Sequence, residues 1–258
     1  MKQKDELKLA KEALSDFNVD DVIVEQYLQS SVPKVRKLAQ AFIDKKGVEC
    51  KRIYNFSLYE KQLWNKGLHL VAGADEAGCG PLVGPVVAAV VVLPVDCCIW
   101  GLNDSKKLSE KKRLQLEQQI KAKAIYWSVS WVNHHHIDRY NILMSRLKAI
   151  AKAVEKLPQK PEHLLIDGNK ALAMDVPQTL IVKGDSKSIS IAAASVLAKC
   201  QRDRIMGKMA ELFPQYGFEI HKGYPTLLHR HRIAQYGPSP IQRMSFKVKE
   251  VENMGNEE

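Results

Sequence analysis

The sequence predicts an α/β fold with a mixed central sheet flanked by helices, preceded by an N-terminal helical extension. Three observations predict it. Apolar residues fall at helical spacing through about residue 66, and the period changes near Leu68. Three strand-like segments then follow in hairpin order. After them helix and strand patterns alternate, which requires parallel pairing somewhere in the sheet.

The extension comes first. "DELKLAKEAL", "VDDVIVEQYLQ" and "VPKVRKLAQAFIDKKG" each carry a helical apolar stripe. Pro33 suits a helix first turn after Ser30 or Ser31, and Gly47 suits its end. Residues 1–32 hold four Lys and seven Asp/Glu, net −3, whereas residues 33–66 hold nine Lys/Arg and three Asp/Glu, net +6. The basic half is either a solvated helical face or a nucleic-acid contact. Residues 1–66 are expected to form the extension and residues 67–258 the second domain.

In that second domain "LHLVAGA" reads as a strand, followed by the Gly/Pro turn of "GADEAGCGPLVGP" and the buried strand "VVAAVVVLP". "IYWSVSWV" alternates as a third strand. "NILMSRLKAIAKAVEKL" is an amphipathic helix stopped by Pro158. "HLLID" and "QTLIVK" are short strands around a loop. "SISIAAASVLAKCQRDRIMGKMAELF" is a long Ala-rich helix starting near Asp185 or Ser186, and the tail "HKGYPTLLHRHRIAQYGPSP" is a loop followed by a basic helix.

Hydrophobic content of 45% over 258 residues allows a sizeable core, and a formal charge of +10 points to a polyanionic partner. Five cysteines (Cys50, Cys79, Cys97, Cys98, Cys200) with no C-x-x-C spacing argue against a disulfide framework and a cysteine zinc site. A reducing, cytoplasmic location is expected. The N-terminus lacks an apolar signal core, and the longest apolar run is about half of what spans a bilayer, so no membrane association is expected.

The chemistry lies in the acids. Asp75 and Glu76 follow the first strand, Asp167 ends the fourth, and Asp203 lies on the long helix in "QRDR". Each alone reads equally as a cap, a turn residue or a surface pair. Together they have another meaning. If the first and fourth strands are neighbours, their carboxyl ends lie side by side, where ligand sites form in open α/β sheets. Crowded carboxylates repel one another unless a cation is present. Mg²⁺ and Mn²⁺ prefer such oxygen ligands, and a pair of them drives in-line phosphodiester hydrolysis. Three consecutive histidines, His134 to His136, do not share one face and read as helix-start residues. His163, before "LLID", reads as structural.

"GADEAGCGPLVGPVVAAVVVLP", "LNDSKKLSEKKR", "LLIDGN", "KGDSKSISIAAASVLAKCQRDR" and "HKGYPT", in that order over about residues 68–248, resemble bacterial ribonuclease HII. The resemblance implies an RNase H-like fold and cleavage of the RNA strand of RNA/DNA hybrids with Mg²⁺ or Mn²⁺ at a two-metal site. It also implies incision 5′ of a ribonucleotide embedded in duplex DNA, leaving a 3′-hydroxyl and a 5′-phosphate, a role in ribonucleotide removal. The catalytic and metal-binding carboxylates fall on Asp75, Glu76, Asp167 and Asp203. The family's Gly-Arg-Gly reader of 2′-hydroxyls falls on Gly78, Cys79 and Gly80, so Cys79 stands where Arg is usual. Gly78 and Gly80 are expected to adopt positive φ and bring the backbone close to ligand. Ser105 and Lys106 are placed near substrate phosphate, and Tyr224 against the sugar beside the junction. Ser186 and Lys187 open the long helix as a phosphate cradle or as its cap. Ser109 is expected to cap the amide of Lys112. The implied partner is hybrid or ribonucleotide-containing duplex, and a monomer is expected. Two rival readings are another RNase H-like nuclease or strand-transfer enzyme built on an acidic triad, and a non-catalytic nucleic-acid-binding protein. The second of these requires that the acids fail to converge.

Overall fold

A computed structural model describes residues 2–248. The chain forms two compact units, residues 1–56 and 57–258. The first contains α1 (Lys2–Ala13), α2 (Asp21–Leu28) and α3 (Pro33–Phe56). Its core gathers Leu14, Val24, Ala39 and Phe42, with Phe17 stacked on Phe42 at 5.6 Å between ring centres. α3 begins at Pro33 as its fixed φ favours, but it does not stop at Gly47. A glycine inside a helix costs about 1 kcal/mol. Ile53 and Phe56, buried beyond it, offset that by continuing the apolar stripe.

The second unit begins with α4 (Leu58–Trp64), which the sequence reading had placed in the extension. Leu63 and Trp64 pack with Val71, Leu165, Ile181 and Ile191 of this unit. The sheet comprises β1 (Val71–Ala77), β2 (Val86–Val92), β3 (Tyr126–Val132), β4 (His163–Asp167) and β5 (Gln178–Ile181), in the order β3-β2-β1-β4-β5. β1/β2 and β2/β3 are antiparallel, while β1/β4 and β4/β5 are parallel. The sheet is therefore mixed, with the first and fourth strands adjacent. All seven residues of β2 are buried, because both sheet faces are covered.

α5 (Glu110–Lys123) starts at Ser109, whose hydroxyl accepts from the Lys112 amide at 3.3 Å as expected. α6 (His134–Glu155) covers one face through Ile137, Ala149, Ile150 and Ala153. It is broken at Asn141, φ 65°, whose Oδ1 accepts from the Met144 amide and so restarts the helix. The first segment carries the three histidines, and the second is the amphipathic stretch the sequence predicted. α7 (Ile189–Leu212) covers the other face, and α8 (Phe218–His221) and α9 (Leu227–Tyr236) complete the unit. No helix among the described residues is long and apolar enough to cross a membrane.

α7 lies directly on β1. A Cβ at Gly73 would sit 2.2 Å from the Ser190 carbonyl carbon, and one at Gly78 would sit 2.2 Å from Arg202 Nε. The helix backbone thus touches the strand at Gly73, where only glycine permits that spacing, and the Arg202 side chain reaches Gly78 just past the strand.

Truncation tests the division of the chain. Removal of residues 1–56 leaves the core of the second unit whole, and thermal unfolding of the remainder stays cooperative. Removal of residues 1–66 also deletes Leu63 and Trp64, at a cost of roughly 3–5 kcal/mol for each large core side chain. Its melting temperature falls well below that of the shorter truncation.

Candidate active site

The parallel register pairs Ala74 with Ile166, so the next residues, Asp75 and Asp167, emerge side by side at the carboxyl ends of β1 and β4. A third acid comes from the 3-10 turn Gly184–Ser186 that leads into α7. The Gly184 amide donates to Asp167 Oδ1 at 2.7 Å. A Cβ on Gly184 would lie 2.6 Å from Ile191 Cδ1, so the turn is wedged against the helix it introduces. Asp185, in the middle of that turn, is buried.

These acids press on one another. Burial, then the charges of Glu76, Asp167 and Asp185, push the Asp75 carboxyl well above its usual range. Burial also raises Glu76, with Arg146 opposing it. Asp185 is raised by burial and by Asp104 and Asp167, with Lys106 opposing. Two cations hold the cluster together. Arg146 Nε lies 2.7 Å from Glu76 Oε2, and Arg146 Nη2 donates to the Asp167 carbonyl. Lys106 Nζ lies 3.5 Å from Asp185 Oδ2. Among the described residues no three Asp, Glu, His or Cys side chains stand close enough to hold a metal ion as they are, and Glu76 and Asp185 face these cations. The donors themselves suit a hard divalent cation. They are carboxylate oxygens in a buried excess of negative charge.

Asp203 is elsewhere. Lys199 Nζ lies 2.6 Å from Oδ1 and Arg113 Nη2 3.5 Å from Oδ2. Asp203 follows Arg202, whose side chain reaches Gly78 just past β1. It ties α5 to α7 rather than joining Glu76, Asp167 and Asp185, the groups that act most strongly on Asp75.

The turn after β1 rests on two buried arginines. Arg243 donates to the carbonyls of Gly78, Cys79, Pro81, Gly84 and Pro85. Arg202 donates to Val83, Pro85 and Lys222. Both are fully buried, and burial together with Arg202 lowers Arg243 to about 9. The backbone of the 239–246 segment also joins the turn, through Arg243 N to the Leu82 carbonyl and Gly84 N to that of Ile241. Gly78 has φ 97°, as expected, but Gly80 does not adopt positive φ. Gly80 lies beside Tyr224, whose ring edge would be 4.0 Å from an added Cβ, an ordinary contact. Tyr224 is exposed, with Lys199 and Arg202 each 5.8 Å from its ring centre. Cys79 is not the idle thiol its size suggests. Its Sγ donates to Glu76 Oε1 at 3.4 Å, and burial and Glu76 push it up to about 12. It is a neutral donor to a cluster acid.

The remaining predicted contacts divide. Lys106 reaches the cluster, but Ser105 is buried and accepts from Ser195 Oγ at 2.7 Å. Ser186 and Lys187 are exposed, and Ser186 Oγ donates to the Lys183 carbonyl. The start of α7 itself is closed: Ser188, its cap, is fully buried and accepts from the Ile191 amide. His163 bonds Thr179 at 2.8 Å and is structural.

The model of the ribonuclease HII family matches residues 72–249. The chain belongs to the ribonuclease HII family. A ribonuclease HII from Caldanaerobacter subterraneus subsp. tengcongensis is 49% identical over 211 residues, covering 82% of this chain and 86% of that protein. Among solved structures, the ribonuclease H2 of Pyrococcus horikoshii OT3 has a TM-score of 0.57 at 27% identity, covering 69% of this chain and 94% of that one. The ribonuclease HII of Archaeoglobus fulgidus, solved with PCNA, has a TM-score of 0.59 at 26% identity, covering 71% and 98%. Membership makes this ribonuclease HII chain a hydrolytic endonuclease of the ribonuclease H type on an RNase H-like fold.

Sequence reasoning misses three residues of this candidate site. Asp185 was read only as a helix start, although an acid between a strand and a helix beside Lys187 was the available signal. Arg146 and Arg243 gave none, since their partners come from distant segments.

The raised Asp75 carboxyl has a consequence for stability. Folded, it holds its proton more tightly than unfolded, so it favours the fold at acid pH. That contribution is lost as pH rises from the ordinary carboxylate range to the folded value. Asp75→Asn removes the penalty. Without divalent metal at pH 7 the variant is more stable to urea than wild type, on the order of 1 kcal/mol, and the difference shrinks toward pH 4.

Proposed function

We propose that this chain is a Mg²⁺- or Mn²⁺-dependent ribonuclease H that cleaves the RNA strand of hybrids and incises 5′ of single ribonucleotides in duplex DNA, leaving a 3′-hydroxyl. The observation that carries the reading is the convergence of Asp75, Glu76, Asp167 and Asp185 beside the Gly78–Gly80 turn and Tyr224. In this reading Asp185 is the fourth metal-holding acid, and Asp203, expected in that role, anchors α7 to α5. When bound, the divalent ions supply an activated water and stabilise the leaving 3′ oxygen.

The chain's own residues do the rest. Asp167 is fixed by the Gly184 amide and Glu76 by Arg146, so the acids are oriented in advance. Arg202 and Arg243 occupy the carbonyls of the 78–85 turn. The turn is left to offer amide donors to a 2′-hydroxyl, the group that separates RNA from DNA. Tyr224 stands beside Gly80, where its ring can pack on the adjoining sugar. Lys106, Lys199 and the overall charge of +10 favour a polyanionic duplex.

A duplex with one ribonucleotide, incubated with Mg²⁺, Mn²⁺ or EDTA, tests the activity. Cleavage 5′ of the ribonucleotide with either metal and none in EDTA is expected. Asp185→Asn loses activity by about 100-fold or more while remaining folded, because an amide does not replace a metal-holding carboxylate. Asp203→Asn loses less than about tenfold. The reverse order of the two variants restores Asp203 to the metal site.

A further inference from the structure

Glu60 lies on α4, outside the 72–249 segment matched to the family, and is 1% exposed. Its Oε1 accepts from Ser188 Oγ and Ser190 Oγ, both at 2.5 Å, and from the Ser190 amide at 3.0 Å. Its Oε2 is buried with no hydrogen-bond partner. Nearby, Leu63, Trp64, Val71, Leu165, Ile181 and Ile191 form an apolar cluster. An apolar side chain of the same length would fill the space without the penalty of a buried acid. What the acid adds is a grip on the first turn of α7.

That grip passes directly into the active site. Ser188 is the cap of α7, and its amide and that of Lys187 both donate to the Gly184 carbonyl at 2.9 Å. Gly184 in turn donates to Asp167 Oδ1, and Asp185 is its neighbour. Ser190 sits against Gly73 of β1, two residues before Asp75. One carboxyl therefore fixes the point where helix, acidic turn and central strand meet. A carboxyl at the positive end of α7 is also favourable in itself.

We propose that Glu60 is a positioning residue for this active site, fastening the start of α7 so that the 184–186 turn presents Asp185 and the Gly184 amide to Asp167. The inference rests on the assignment of Asp185 as a metal-holding acid. It makes α4 part of the catalytic apparatus, although α4 lies outside the matched family region.

The test uses full-length Glu60→Gln and Glu60→Leu. The amide keeps an oxygen for the three donors, whereas leucine keeps the volume and loses the bonds. Steady-state cleavage of an RNA/DNA hybrid gives kcat and KM, calorimetry without substrate gives the Mn²⁺ Kd, and circular dichroism confirms folding at the assay temperature. Glu60→Leu is expected to lower kcat by about tenfold and weaken Mn²⁺ binding by about fivefold, with KM within about twofold. Glu60→Gln recovers both to within about threefold. Folded Glu60→Leu with wild-type kcat and Mn²⁺ affinity, or with its loss confined to KM, overturns the proposal. Should Glu60→Leu fail to fold, Ser190→Ala removes one of the two hydroxyl donors, and kcat is expected to fall by about threefold. Wild-type kcat in that variant overturns the proposal equally. Wild type that takes up no Mn²⁺ overturns the metal reading beneath it, whereas equal uptake by wild type and Glu60→Leu overturns the role of Glu60 alone.

Discussion

The close approach of α7 to β1 is the constraint on which the rest of the second unit depends. Two glycines permit it: Gly73 under Ser190 and Gly78 under Arg202. A side chain at Gly73 would lift the helix from the strand, and one at Gly78 would displace the Arg202 side chain. With the helix seated, the turn that precedes it must pass the carboxyl ends of β1 and β4, which brings Asp185 to Asp75 and Asp167. Seating the helix also places Arg202 under the Gly78–Pro85 turn, where its guanidinium donates to the Val83 carbonyl and shares that of Pro85 with Arg243.

A second constraint is electrostatic. The unit buries charge of both signs in separate places. The acids gather at the strand ends, countered by Arg146 and Lys106, and the two fully buried arginines gather beneath the adjoining turn, satisfied by backbone carbonyls. Neither arrangement is the most stable filling of its space. Together they produce a site that is short of cations next to a turn whose carbonyls are already occupied. Such a pairing suits binding of divalent metal and selection of a 2′-hydroxyl side by side. Cys79 lies at the border, with its thiol on Glu76 and its carbonyl on Arg243.

Much of this was legible in the sequence because it depends on local pattern. Strand β2 is a run of seven buried residues, β4 is "HLLID", and Asn141 separates the histidine segment from the amphipathic helix. Asp75, Glu76 and Asp167 were legible because acids directly after apolar strands stand out. Asp185 and Asp203 were harder to tell apart. Both have basic residues within two positions, and only the packing at the strand ends shows which one reaches Asp75. Arg146, Arg243 and Glu60 were illegible for one shared reason. Each is a charged residue that periodicity assigns to the surface, and each is buried or half-buried against partners 21 to 165 positions away. Gly47 misled for the opposite reason, since a local stop signal was overridden by Ile53 and Phe56 further along the same helix.

The central claim is that these four carboxylates are held against their own repulsion for a divalent cation. The most direct measurement is the thermal unfolding midpoint of the full-length protein across a Mn²⁺ series. Ligand that binds only the folded state stabilises it by RT ln(1 + [L]/Kd). The account predicts that the midpoint climbs with the logarithm of Mn²⁺ concentration in wild type and in Asp203→Asn, and stays flat in Asp185→Asn. An equal climb in Asp185→Asn, or a flat line in Asp203→Asn, contradicts it.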